Sequence, residues 1–304
     1  MMSGASPILK QFQDFYRCFP FVQMEQAIVY FSLYGGVHRQ IDLDLFEEIT
    51  LSAEIHFVQH FSETASLISP GYLLRTPYRE MLMAIARGDG RLSNIFRRAR
   101  IGEEAGRKII EELITLDIVL LEDSRQAPLR VHPKHLLKKH LRAYRIEPKV
   151  RFVKPFYRFW FGFVAPYREA LLNKQGYAFT ENFAQHRESA YSLLFEQLSN
   201  LLLADYFRTK DPIVSQGSFW DHHSEFDLLS VTQKGKILLG ECKYTSRSVT
   251  KKELTKLKDK AMKSGIKVDS YALFSKNGFS NELLGLESET LLLFDLDAYA
   301  RLLR

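Results

Sequence analysis

The chain reads as a multi-domain α/β protein, and three observations lead there. Residues 8 to 70 carry apolar residues at three- and four-residue spacing, the period of amphipathic helices. Tyr78 to Val131 then repeats the order helix, glycine turn, helix, turn, helix, two short strands. From Glu188 onward, long helical stretches alternate with short apolar runs bounded by turn residues, the pattern of an α/β core. The domains expected are a helical segment (1–72), a winged helix-turn-helix (73–133), a basic and aromatic connector (134–175) and an α/β domain (176–304).

In the first segment, helices are expected over Ile8 to Phe15, Met24 to Leu33 and Leu43 to Phe61. Gly35-Gly36 between the second and third suits a helix end and a sharp turn. In the second, Tyr78 to Ala86, Arg91 to Arg98 and Glu103 to Leu116 make the three helices. Ile118 to Glu122 and Pro128 to Val131 make the wing. If this unit binds DNA, its third helix enters the major groove with Arg107 and Lys108, while Arg97, Arg98 and Arg100 lie near the backbone. Glu103, Glu104, Glu111 and Glu112 make that helix acidic overall, so a protein contact is the other reading.

The connector concentrates positive charge. Lys134, Lys138, Lys139, Arg142, Arg145, Lys149, Arg151 and Lys154 are opposed only by Glu147. Such a run attracts a phosphate backbone without reading sequence, or is a solvated face. Phe156 to Tyr167 follows, dense in rings. Interleaved with Arg158 it suits base stacking, but a buried seal is the commoner use of so much aromatic area.

The last domain holds the stretch that carries chemistry. Glu225 to Ser230 and Lys236 to Tyr244 alternate apolar and polar residues around Gly235, which predicts two strands joined by a tight turn. Residues two apart share a strand face, so Glu241 and Lys243 point one way and Cys242 the other. Asp227 reaches the same place if the strands pair. Two carboxylates and a lysine at a sheet edge suit metal-assisted phosphodiester hydrolysis: carboxylate oxygens hold Mg²⁺ or Mn²⁺, and the ammonium steadies developing charge. Around this stretch, Glu188 to Ala204 is an amphipathic helix with Leu193, Leu194, Leu198, Leu201 and Leu202 inward. Ile213 to Ser215 adds a strand, and Ser248 to Lys263 is a lysine-rich helix. Ser270 to Ser275 and Leu291 to Asp295 are further strands, and Leu296 to Arg304 is a closing helix.

These motifs resemble a known family. Helix, strand, turn and strand with Asp227 and Glu241-Cys242-Lys243 look like the PD-(D/E)XK, or restriction-endonuclease-like, core. More narrowly, Gly217 to Asp221, Glu225-Phe226-Asp227 and Gly240 to Tyr244 resemble the C-terminal domain of unknown function of archaeal-type AAA+ ATPases. The resemblance implies a Mg²⁺ (or Mn²⁺) site at Asp227 and Glu241, with Lys243 as electrostatic helper. It also implies a further carboxylate on the upstream helix, matched by Glu196 or alternatively Glu188. Phe226 stands where the superfamily often has Pro. Phe31 to Val37 is similar to a segment of the helical lid of those ATPases, with His38 in place of their Pro. The chain has no G-x-x-x-x-G-K-[ST] loop, so no ATP site of its own is expected, and an ATPase partner in trans is a corollary.

Composition bounds the rest. A net charge of +6 makes a polyanionic partner such as DNA plausible. Cys18 and Cys242, far apart and outside any C-x-x-C, announce neither a disulfide framework nor zinc, and fit a cytoplasmic protein. No apolar run matches a membrane span. His132, His135 and His140, or His222-His223, are weaker ligand candidates than Asp221. The expected function is a DNA-binding protein with a Mg²⁺-dependent phosphodiesterase domain; the alternative is a catalytically inactive DNA- or protein-binding regulatory module.

Overall fold

In a computed structural model, residues 7–125, 146–221 and 224–304 are described, and they form a mixed α/β protein. The chain divides into two compact units. One comprises Met1–Glu122, Lys149–Leu201 and Leu296–Arg304, the other Asp123–Pro148 and Leu202–Asp295. Among the described residues, no helix is long and apolar enough to cross a membrane.

The first unit begins with α1 (Pro7–Cys18) and α2 (Met24–Tyr34). Gly35 caps α2 through its N–H to the Phe31 carbonyl. The single helix expected over Leu43 to Phe61 is instead broken into α3 (Ile49–Glu54), one π-helical turn at Ile55–Gln59 and α4 (Phe61–Ser66). Short carboxylates explain the late start. Asp44 accepts the Phe46 N–H at 2.8 Å, and Glu48 accepts those of Thr50 (2.7 Å) and Leu51 (3.3 Å), so the chain turns before it coils.

The winged-helix helices appear as α5 (Tyr78–Ala86), α6 (Leu92–Ala99) and α7 (Glu103–Thr115), followed by β1 (Val119–Glu122). The wing is closed by β2 (Lys149–Phe152), antiparallel to β1 with Leu121 opposite Val150. That strand comes from the stretch read as connector; the expected Pro128 to Val131 lies outside the described residues. Alternation explains it: Val150 and Phe152 are buried, while Arg151 reaches across to Glu122 at 2.7 Å. Lys149 is itself only 2% exposed, so Lys149 and Arg151 do not contribute to an open basic track.

The ring-rich stretch forms α8 (Pro155–Phe159), a π turn at Trp160–Val164 and α9 (Arg168–Leu172). Phe156, Phe159, Trp160 and Phe161 are buried. Phe57 lies 5.0 Å from Phe159, and Phe61 stacks on Trp160 at 5.5 Å. These rings are the core joining the N-terminal helices to the chain beyond the wing, not a platform open to bases. Next comes α10 (Tyr177–Phe207), which buries Leu194, Leu198 and Leu202 but leaves Leu193 and Leu201 half-buried. The C-terminal stretch is a run of 3₁₀ turns (Asp297–Leu303), and its Tyr299 stacks on Phe195 at 5.1 Å. Within the two compact units, α10 as far as Leu201 and the C-terminal turns belong to the first.

The second unit is a five-stranded mixed sheet ordered β3 (Ile213–Trp220), β4 (Glu225–Thr232), β5 (Ile237–Lys243), β6 (Ser270–Ser275), β7 (Leu291–Phe294). The first three are antiparallel neighbours and the last three parallel. Parallel neighbours need a crossover, supplied by α11 (Lys251–Lys263) and α12 (Asn281–Leu284). Both pack on one face, where Leu254, Leu257, Ala261 and Leu283 meet Phe226, Leu229, Leu239, Leu273 and Leu291. Thr250 and Glu253 form a capping box that fixes where α11 starts.

Candidate functional site

Pairing of β4 with β5 runs from Val231 opposite Ile237 to Leu228 opposite Gly240 and stops there. Gly235, at φ +80°, makes the turn, a conformation that costs a residue with a Cβ. At the other end the ladder is replaced by a side chain: Asp227 Oδ2 accepts the Cys242 N–H at 2.7 Å. The reason lies on the opposite edge of β4. Phe219 pairs with Phe226 but Gly217 with Leu229, so Asp227 and Leu228 together face Ser218 in a β-bulge. Such a bulge re-aims the side chain it carries. Gly217 sits at φ +149°, and a Cβ there would lie 2.8 Å from Arg125 Nε, so the glycine belongs to the same distortion.

Alternation along β5 puts Glu241 and Lys243 on the face of Leu239, beneath α11, and sends Cys242 into the opposite layer. Lys243 Nζ lies 2.6 Å from Glu241 Oε1. Lys260, from α11, lies 3.5 Å from Glu241 Oε2 and 3.4 Å from the Glu225 carbonyl oxygen. Glu241 is 14% exposed at its side chain, Lys243 35%. Burial, then the negative charge of Glu241, push the Asp227 carboxyl up to about 6, against the Cys242 N–H and the ammonium groups of Lys243 and Lys260. Burial works against a charged Lys243, but its hydrogen bond to Glu241 and the charges of Glu241 and Asp227 outweigh it, so its pKa is raised.

Two carboxylates and two ammonium groups thus converge at the end of one sheet face. The donor set fits a hard divalent cation: its carboxylate donors are all oxygen, and burial, with the charge of Glu241 beside it, raises the Asp227 pKa. Among the described residues no group of three His, Cys, Asp or Glu side chains is placed to share a metal. Two carboxylates would leave the remaining positions to water and to substrate oxygen, which suits Mg²⁺.

The other expected residues fall elsewhere. Glu196 lies on α10 in the first unit, where its charge supports the half-buried Arg158. Glu188 is on the same helix, and its carbonyl accepts the Ser192 hydroxyl. Asp221 Oδ1 accepts the Ser224 N–H at 2.6 Å, a turn contact between β3 and β4. On α7, Arg107 pairs with Glu103 (2.6 Å) and Lys108 with Glu104 (3.0 Å). On α6, Arg97 donates to Asn94 Oδ1, and Arg98 to the Arg87 carbonyl at 3.0 Å. Lys138, Lys139, Arg142, His132, His135, His140, His222 and His223 lie outside the described residues. Lys260 was not singled out by the sequence. Its signal is its place immediately before Ala261, which is buried against the sheet face that carries Glu241.

Residues 160–257 are similar to a family described as archaeal and bacterial proteins of unknown function, DUF234. The match covers less than half of the chain. No curated protein and no solved structure matches it. The DUF234-like stretch runs from the buried Trp160 through α10, β3, β4 and β5 into α11. It takes in Asp227, Glu241 and Lys243 and ends at Leu257, before Lys260.

Proposed function

We propose that the second unit is a Mg²⁺- or Mn²⁺-dependent phosphodiesterase acting on DNA, of the PD-(D/E)XK, restriction-endonuclease-like kind. The observation that carries the reading is the meeting of Asp227, Glu241 and Lys243 from two adjoining strands, at the point where their ladder opens. Asp227 and Glu241 would hold the ion, which when bound supplies an acidified water and offsets charge on the scissile phosphate. Lys243, charged and anchored on Glu241, would donate to the attacking water or to a phosphate oxygen. The lysines of α11 give a substrate backbone a favourable field. The Gly-Glu-Cys-Lys strand end and the lid-like Gly-Gly segment resemble archaeal-type AAA+ ATPases, which supports an ATPase partner in trans. Two free cysteines fit the reducing cytoplasm.

One observation favours a second reading, a DNA- or protein-binding module without catalysis. Both oxygens of Glu241 already carry an ammonium group, so the site neutralises itself in part without an ion. Wild type and Lys243→Ala, incubated with plasmid and short duplexes under Mg²⁺ or Mn²⁺, separate the two. Catalysis requires cleavage by the wild type that the variant loses. Equal cleavage by both, or none by either while DNA is still retarded on a gel, removes the enzyme.

A further inference from the structure

The first unit contains a cleft of 870 Å³ that the phosphodiesterase reading does not use. One wall is α5 and α6, presenting Arg79, Met83, Arg87 and Arg98; the other is the start of α9 and the turn before it, presenting Pro166, Tyr167 and Arg168. Two acidic residues border it. Glu80 is taken up by Arg79 at 2.7 Å and by the Thr76 hydroxyl at 3.0 Å, and Glu169 is exposed. Arg98 is oriented by the Arg87 carbonyl. The side chains of Arg87 and Arg168 have no hydrogen bond or ion pair with any described residue.

Guanidinium groups facing one another across a concave space repel unless an anion lies between them. Arginine's planar fork matches phosphate oxygens two at a time. The remaining lining is not that of a bare anion site. Met83, Ala84, Ala165 and Pro166 add an apolar floor, and the Tyr167 ring adds a flat surface, its edge set against Phe179 at 6.5 Å. The volume is that of a small-molecule pocket. From these walls we propose that the cleft binds a nucleotide-sized phosphate ester, with Arg87, Arg98 and Arg168 on the phosphates and Tyr167, Met83 and Pro166 against the ring. The site stands independently of the carboxylates on β4 and β5.

The test is calorimetric titration of the full chain with ADP, GDP, CDP, UDP, pyrophosphate, adenosine and a twelve-residue thymidylate strand. At least one nucleoside diphosphate should bind more tightly than both pyrophosphate and adenosine. The Arg87→Ala/Arg168→Ala variant should weaken it by about tenfold or more. Arg87→Lys/Arg168→Lys, which keeps the charge and removes the fork, should recover only part of that loss; circular dichroism of each variant shows whether it is folded. Wild type that binds none of the phosphates overturns the proposal. So does binding undiminished in the folded double-alanine variant. Binding of the thymidylate strand alone, lost in that variant, also overturns it by making the cleft a path for nucleic acid.

Discussion

Helix α7 and strand β5 each place a carboxylate and a cation at the same separation. Glu103 and Arg107 meet at 2.6 Å one helical turn apart; Glu241 and Lys243 meet at 2.6 Å two residues apart on a strand. The helix pair is 70% and 54% exposed, the strand pair 14% and 35%. Water screens the first pair, whose worth is about 0.3–0.5 kcal/mol. In the second, Asp227 adds a further carboxyl in a poorly hydrated corner, and burial with the charge of Glu241 pushes its pKa up to about 6. Contact distance does not tell a functional pair from a decorative one. Burial, and the further charges crowded beside the pair, set the strand cluster apart from the helix pair.

That contrast breaks most visibly at Lys243. If the strand cluster is catalytic, Lys243→Ala should cut the rate of duplex cleavage by about 10²–10³-fold, the scale for losing one electrostatic donor. Lys108→Ala, which removes a cation at a similar distance from its carboxylate, should leave the rate within about twofold. A comparable loss in both would mean that the two pairs are not different in kind.

Asp227 comes next, and its effect is on stability. Its folded pKa of about 6 stands above the unfolded value of 3.8, so the folded chain holds that proton more tightly than the unfolded chain does. Stability from this group is present in full below the unfolded value and is lost as pH rises through about 6. Asp227→Asn keeps an oxygen for the Cys242 N–H and carries no charge. Without added metal it should raise unfolding stability above pH 7 by on the order of 2–3 kcal/mol, with little gain near pH 4, while abolishing cleavage. Urea unfolding across that pH range would expose the idea as wrong if the variant were the less stable at pH 8.

Much of this arrangement is legible in the sequence, because alternation is a local property. The β4 and β5 strands, the shared face of Glu241 and Lys243 and the inward Cys242 all follow from a period of two. So do α5, α6 and α7 from the helical period and from Gly88, Gly90 and Gly102. The bulge that turns Asp227 toward Cys242 is not local. It depends on how β3 and β4 slip past Gly217, and only that glycine hints at it. Lys260 arrives by way of a crossover helix whose docking face is set by Leu254, Leu257 and Ala261. The wing strand at Lys149–Phe152 was hidden because a run of basic residues reads as solvated surface, while the buried Val150 and Phe152 alternate within it. The i,i+4 partners of Arg107 and Lys108 on α7, Glu103 and Glu104, follow from the helical period as well.

A smaller effect sharpens the contrast from the side of the metal. An ion held by Asp227 competes with the proton there, so Mg²⁺ should raise the thermal midpoint of the wild type, and more at pH 7.5 than at pH 5. The shift should vanish in Asp227→Asn and persist unchanged in Glu103→Gln/Glu104→Gln, whose exposed carboxylates hold no shared ion. That last variant should itself lower stability by about 1–2 kcal/mol, the loss of two screened pairs and of two carboxylates in the first turn of α7. A Mg²⁺ shift that survived in Asp227→Asn would place the ion away from β4, and Glu241 with its two lysines would then be a neutralised ion pair, no different in function from the pairs on α7.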